Sequence, residues 1–163
     1  MSEKFMTQKY RRRDMLAMAG TGVVAVAGIG LFPGSAQAKH FPRHIPVAQA
    51  IKEKIGDKPT KSGRITIELP QIAENGNTVP MGFEVDSPMT ESDYVKAVHI
   101  FADQNPNPDV ATYRFTPQSG KAKISTRMRL LKTQNVIAIA EMSDGSLYMT
   151  KTPVKVTIGG CGG

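Results

Sequence analysis

Cys161 is the only cysteine of the 163-residue chain. It stands third from the C-terminus, with Gly159 and Gly160 before it and Gly162 and Gly163 after it. A thiol in such a place can bond covalently to sulfur. Its thiolate attacks, or is oxidised onto, a second sulfur atom, and S–S bonds exchange by the same attack. Glycine lacks a Cβ, so the five residues form a flexible arm that extends about 17 Å past whatever element precedes it. The arm is slim enough to enter a narrow channel in another protein. It would present a tethered cargo there at high effective concentration. Lone cysteines are most often small buried hydrophobes, but the glycines give this one no side chains to pack with. No Lys, Arg or His adjoins it and the terminal carboxylate is two residues away, so activation of the thiol falls to a partner's active site. One cysteine excludes a disulfide framework and Cys-rich zinc or iron–sulfur sites. Prenylation is excluded because the cysteine is third, not fourth, from the end.

The other chemistry-bearing residues read as ordinary structure. His40 and His44 have helical metal-ligand spacing, but Pro42 and Pro46 oppose a helix and no third ligand is near. His99 lies in a strongly apolar run and reads as a packed or interface residue. Arg114, Lys123, Arg127 and Arg129 fall on the polar faces of two expected strands that could be neighbours; a solvated face is the default, and attraction of an anion or acidic partner the alternative. Met81, Met89, Met128, Met142 and Met149 are spread as core or interface fillers. No nucleophile elbow, phosphate loop or carboxylate pair is present, so the sequence supports neither an autonomous enzyme nor a cofactor or metal site.

The N-terminus is a targeting segment. Lys4, Lys9, Arg11, Arg12 and Arg13 precede an uncharged Ala/Gly/Val-rich stretch over residues 15–38 that ends Ala36-Gln37-Ala38, a signal-peptidase pattern with cleavage after Ala38. A membrane anchor is the rival reading, weakened by Gly20, Gly22, Gly28 and Gly30. Arg12-Arg13 followed by Asp14-Met15-Leu16 has the look of a twin-arginine export signal, a route for folded cargo, which makes the mature chain periplasmic. The formal charge of +7 drops to +4 once residues 1–38 are removed, so the basic excess no longer argues for nucleic acid. Zero Trp and 6% aromatics argue against base-stacking platforms.

The elements that must carry the arm follow from periodicity. Residues 46–55 form a short helix with Val47, Ala48, Ile51 and Ile55 on one stripe and Gly56 as its stop. The period then changes to two. Apolar and polar residues alternate over 64–69, 79–86, 111–116, 122–130 and 154–158, each a strand with one buried face. Residues 94–101 and 136–142 are apolar on both faces, as in central strands or strands covered by another chain. Those second faces, near Val98 and Ile137, suggest a permanent partner subunit and a poorly soluble isolated chain. Ser143-Asp144-Gly145, Pro117-Gln118-Ser119-Gly120 and Asn105-Pro106-Asn107-Pro108 supply the turns. The expected fold is all-β: an antiparallel immunoglobulin-like β-sandwich with a short N-terminal helix and a flexible Gly-rich C-terminal arm. Its divisions are a leader (1–38), an N-terminal segment (39–62), the sandwich (63–158) and the arm (159–163).

The terminal Gly-Gly-Cys-Gly-Gly resembles that of the SoxY family, the carrier subunits of the periplasmic sulfur-oxidation (Sox) system. The likeness extends to residues 94–102, the Asn105-Pro106-Asn107-Pro108 loop, Phe115-Thr116-Pro117, Ser119-Gly120, Ser125-Thr126-Arg127 and residues 140–145. It implies a non-catalytic carrier with Cys161 as its sulfur-binding residue, paired with a second immunoglobulin-like subunit, SoxZ. It further implies transient docking to the haem protein SoxAX, the dimanganese hydrolase SoxB and, where present, the sulfane dehydrogenase SoxCD. Thiosulfate would be carried as S-thiosulfonate, persulfide and S-sulfonate. Two other readings of the tail stay open: a thiocarboxylate donor that uses the Gly163 carboxylate, and a structural sandwich cross-linked through an intermolecular Cys161 disulfide.

Overall fold

The computed structural model describes residues 44–159; the expected leader with its expected cleavage after Ala38, His40, Gly160, Cys161, Gly162 and Gly163 lie outside the described residues. Helix α1 (Val47–Ile55) begins after Pro46, whose missing N–H costs nothing at a helix start, and ends at Gly56 with φ 72°. The Gly56 N–H donates to the Lys52 carbonyl at 2.8 Å and closes the last turn. The inward stripe differs from the expected one by a residue. Ala50 is buried and Ala48 exposed, so the small side chain at 50 lets the helix lie close to the sheet beneath.

Nine strands follow among the described residues: β1 (Thr60–Lys61), β2 (Ile65–Glu68), β3 (Ile72–Asn75), β4 (Val79–Val85), β5 (Val95–Ala102), β6 (Asp109–Arg114), β7 (Ala122–Met128), β8 (Gln134–Met142) and β9 (Leu147–Ile158). They form two sheets, one ordered β1-β9-β8-β5-β6 with β3 also on β9, the other β2-β4-β7. The expected immunoglobulin-like β-sandwich is therefore present. Its pairs are antiparallel except at one edge, where β1 and β3 each run parallel to β9. Strand β9 is longer than the alternation of residues 154–158 indicates. It begins at the Ser143-Asp144-Gly145 hairpin, where Gly145 takes φ 81° and Asp144 accepts the Ser146 N–H at 2.8 Å. Those contacts hold the Asp144 carboxyl below its usual range.

The inward residues of β4, among them Val79, Met81, Phe83 and Val85, share one core with Val98 and Ile100 of β5 and Val136 and Ala138 of β8. Each buried Val, Ile, Met or Phe side chain among these contributes about 1.5–3 kcal/mol. Phe83 sits 5.5 Å from Tyr113 in a tilted ring pair and 6.4 Å edge-on from Phe115, which closes the β6 side.

The two-faced apolar strands β5 and β8 are central, as their composition requires. Their second face is covered within the chain. Val98 belongs to the sandwich core, and Ile137 lies with Phe101, Ile139 and Leu147 in a second cluster that Ala50 of α1 caps. The helix covers the second face at Ile137, and the central position of both strands fits the first of the two readings their composition allowed.

Candidate functional site

The arm starts where β9 ends, and β9 is held to its last residue from both sides. On one side β3 pairs in parallel, with Ile72 opposite Lys155, Ala73 opposite Val156 and Asn75 opposite Ile158. On the other, Val156 donates its N–H to Thr133 Oγ1 at 3.0 Å. The Thr157 hydroxyl donates to the Glu74 carbonyl at 3.0 Å. Gly76 then bridges the end of the strand to the β7–β8 connection. Its N–H donates to the Ile158 carbonyl at 2.8 Å, and its own carbonyl accepts from the Leu130 N–H at 2.8 Å. Ile158 is nevertheless 69% exposed, so backbone and not side-chain burial secures it.

Gly159 follows directly against the β7–β8 connection. A β-carbon built on it would overlap the Leu131 carbonyl oxygen. This glycine is required by a close approach of two backbones, in addition to any freedom it gives the arm.

Leu131 is itself fixed by a buried amide pair. Its N–H donates to Asn105 Oδ1 at 3.1 Å, and Asn105 Nδ2 donates to the Arg129 carbonyl at 3.0 Å. Gln134 Nε2 donates to Asn105 Oδ1 at 2.9 Å and to the Lys132 carbonyl at 3.1 Å, while its Oε1 accepts the Gln104 N–H at 2.9 Å. Asn105 and Gln134 are 8% and 4% exposed, so the network is buried and every amide atom in it has a partner. Fully satisfied networks of this kind rigidify what they join. The sequence gives Asn105 the look of a turn residue before proline, and its role as a hub depends on partners 24 to 29 positions away.

The remaining candidates separate. Arg114 lies on β6 of the larger sheet, and Lys123 and Arg127 on β7 of the smaller one. The two strands are not ladder neighbours, and Arg114, Lys123, Arg127 and Arg129 are all exposed, as the default of solvated strand faces expects. Lys123 Nζ bonds Glu84 Oε2 at 3.0 Å, an exposed pair whose hydrogen bond lowers the Glu84 carboxyl and raises the Lys123 amine. His44 is exposed. His99 is buried, with Nδ1 3.0 Å from Thr112 Oγ1 and Nε2 without a hydrogen-bond partner among the described residues. Met81, Met89, Met128 and Met142 are core residues and Met149 packs in the second cluster beneath α1. Among the described residues, no three His, Cys, Asp or Glu side chains come together as metal ligands.

These features define an all-β sandwich protein whose last strand is locked in place and leads straight into a terminal thiol set among glycines. The chain belongs to the SoxY family: the model described as "Sulfur oxidation protein SoxY" matches residues 51–161, a span that reaches Cys161. The structure of the sulfur carrier protein SoxY from Chlorobium limicola f thiosulfatophilum is similar to it at 34% identity and TM-score 0.58, covering 69% of this chain and 96% of that one. A variant of the superoxide reductase (neelaredoxin) from Ignicoccus hospitalis shares the fold at 18% identity and TM-score 0.52, over 66% of this chain and 86% of that one. No curated protein matches the sequence significantly.

Proposed function

We propose that this protein is a non-catalytic covalent carrier of sulfur intermediates in periplasmic thiosulfate oxidation, with Cys161 as the attachment point. One observation carries the reading. The family match runs to a lone thiol bracketed by Gly159, Gly160, Gly162 and Gly163, directly after a strand anchored to its final residue. The 34% identity to a sulfur carrier protein supports the same reading. Arg12-Arg13 and Ala36-Gln37-Ala38 support export by the twin-arginine route, with a mature chain starting at Lys39.

The chemistry asks nothing of the sandwich itself. Thiosulfate and the Cys161 thiol join through a new S–S bond, releasing one proton and two electrons to a haem acceptor of the SoxAX type. Water then cleaves the terminal sulfonate as sulfate and leaves a persulfide, the step of a SoxB-type hydrolase. A SoxCD-type dehydrogenase takes six electrons from that outer sulfur, with water supplying three oxygens, to give the S-sulfonate. A second hydrolysis releases sulfate and restores the thiol. SoxZ is the partner subunit of this scheme.

Mass spectrometry of the intact periplasmic protein and its C-terminal peptide, with and without reductant, tests the reading. The expected result is a reductant-labile adduct of sulfur, or of sulfur plus sulfonate, on Cys161. A thiol that stays bare after incubation with thiosulfate and the haem oxidant overturns it.

A further inference from the structure

We propose that Gly159, Leu131 and Asn105 form a clamp at the root of the arm, with Asn105 as a positioning residue that fixes where the thiol-bearing segment starts. The inference rests on the carrier reading for its purpose but not for its geometry. A tether delivers cargo well when its root is fixed relative to the docking body, because effective concentration depends on where the arm begins as well as on its length. Here the root is built accordingly. Asn105 grips both sides of the turn, through the Arg129 carbonyl and the Leu131 N–H, and Gln134 locks the asparagine in its orientation. Gly76 ties Leu130 to Ile158, so the same turn holds the last strand residue and bears on Gly159. A side chain at 159 has to push against backbone held by a buried network. The overlap involves a main-chain carbonyl, which cannot swing aside as a flexible side chain can.

Hydrogen–deuterium exchange on the full mature chain, in whatever subunit complex it is isolated, reads the clamp without any sulfur chemistry. Asn105→Ala and Gly159→Ala should each speed exchange at Gly76 and across residues 156–158 about tenfold, the worth of one lost hydrogen bond. Gly160→Ala should leave those amides at their original rates. Where Asn105→Ala loosens the whole sandwich, with β5 and β8 exchanging faster as well, Gly159→Ala decides alone. Unchanged protection at Gly76 and 156–158 in Gly159→Ala overturns the clamp, as does an equal effect from Gly160→Ala.

A second readout separates positioning from bulk stability. Reaction of Cys161 with a small aromatic disulfide should be the same in Gly159→Ala as in the original chain, while loading from thiosulfate by the periplasmic haem oxidant drops about tenfold in kcat/KM. Equal loading overturns the positioning role. Absence of loading in every variant and in the original chain refutes the carrier reading and leaves the exchange result standing.

Discussion

His99 Nδ1 lies 3.0 Å from Thr112 Oγ1 across the β5–β6 pair, while its Nε2 is buried without a hydrogen-bond partner among the described residues. An imidazolium there would carry a second N–H with no acceptor, which disfavours the charged ring. Burial is the first cause of the lowered pKa. The Lys54 charge adds to it, Glu141 and Asp109 oppose it, and Arg114 reinforces it weakly.

The pH dependence follows from that direction. With the folded pKa below the unfolded one, the unfolded chain takes up the proton first as pH falls. Stability is complete above about pH 6.5 and declines as pH drops toward the folded value. Calorimetric melting of the mature chain should show Tm falling from pH 7.5 to 5.5. His99→Gln keeps a partner for Thr112 and removes the titration, so its profile over this window should be flatter. A parallel profile would assign the slope to other groups.

The α1 cover gives a stability prediction. Phe101 is fully buried in the cluster that Ala50 caps, so Phe101→Ala should cost about 3–5 kcal/mol in urea unfolding. Ala50→Glu should also be strongly destabilising, because it pushes a charge into that cluster, whereas Ala48→Glu on the exposed side should change stability by no more than about 0.5 kcal/mol. If Ala48→Glu proves the worse of the two, the helix is rotated from the orientation described.

Much of this architecture is legible in the sequence wherever a local pattern repeats. The alternation of Val79, Met81, Phe83 and Val85 gives β4 and its buried face, and the doubly apolar run to Phe101 gives a central strand. Strand β1 has two residues, too few for a period to emerge, β3 reads Ile-Ala-Glu-Asn without alternation, and the parallel pairing of both depends on β9, some eighty positions onward. The cover over Ile137 is equally non-local: the residues betray an apolar second face without saying that Ala50, far upstream, lies on it. At the arm, residue type misleads in one respect. Gly159 reads as freedom, yet it also serves a close backbone contact with Leu131, and no spacing rule links it to Asn105.

Replacing the thiol should leave the sandwich intact. Cys161 follows β9, whose anchoring runs through backbone and hydroxyl groups of Thr133, Gly76 and Glu74, none of which needs the sulfur. Cys161→Ser should therefore melt at the same temperature as the original chain, carry no reductant-labile adduct, and fail to restore thiosulfate-dependent respiration in cells lacking the native protein. Full respiration with the serine variant would remove Cys161 from the chemistry.

Extending the chain by one alanine after Gly163 separates the two covalent readings of the tail. A thiocarboxylate donor reacts at its terminal α-carboxylate, and the added residue moves that group about 3.5 Å outward and replaces the terminal glycine. A cysteine carrier reacts at a side-chain sulfur two residues earlier, and one more residue beyond it changes neither the root at Gly159 nor the distance from root to thiol. Effective concentration at a partner's site depends on that root-to-thiol length, which is the same in both chains. The extended protein should thus acquire the same adduct on Cys161 when incubated with thiosulfate and the haem oxidant, read by mass spectrometry of the C-terminal peptide. Loss of the adduct in the extended chain, with its thiol still reactive toward a small disulfide, would move the chemistry from the Cys161 sulfur to the carboxylate or to a partner site that admits only the natural terminus.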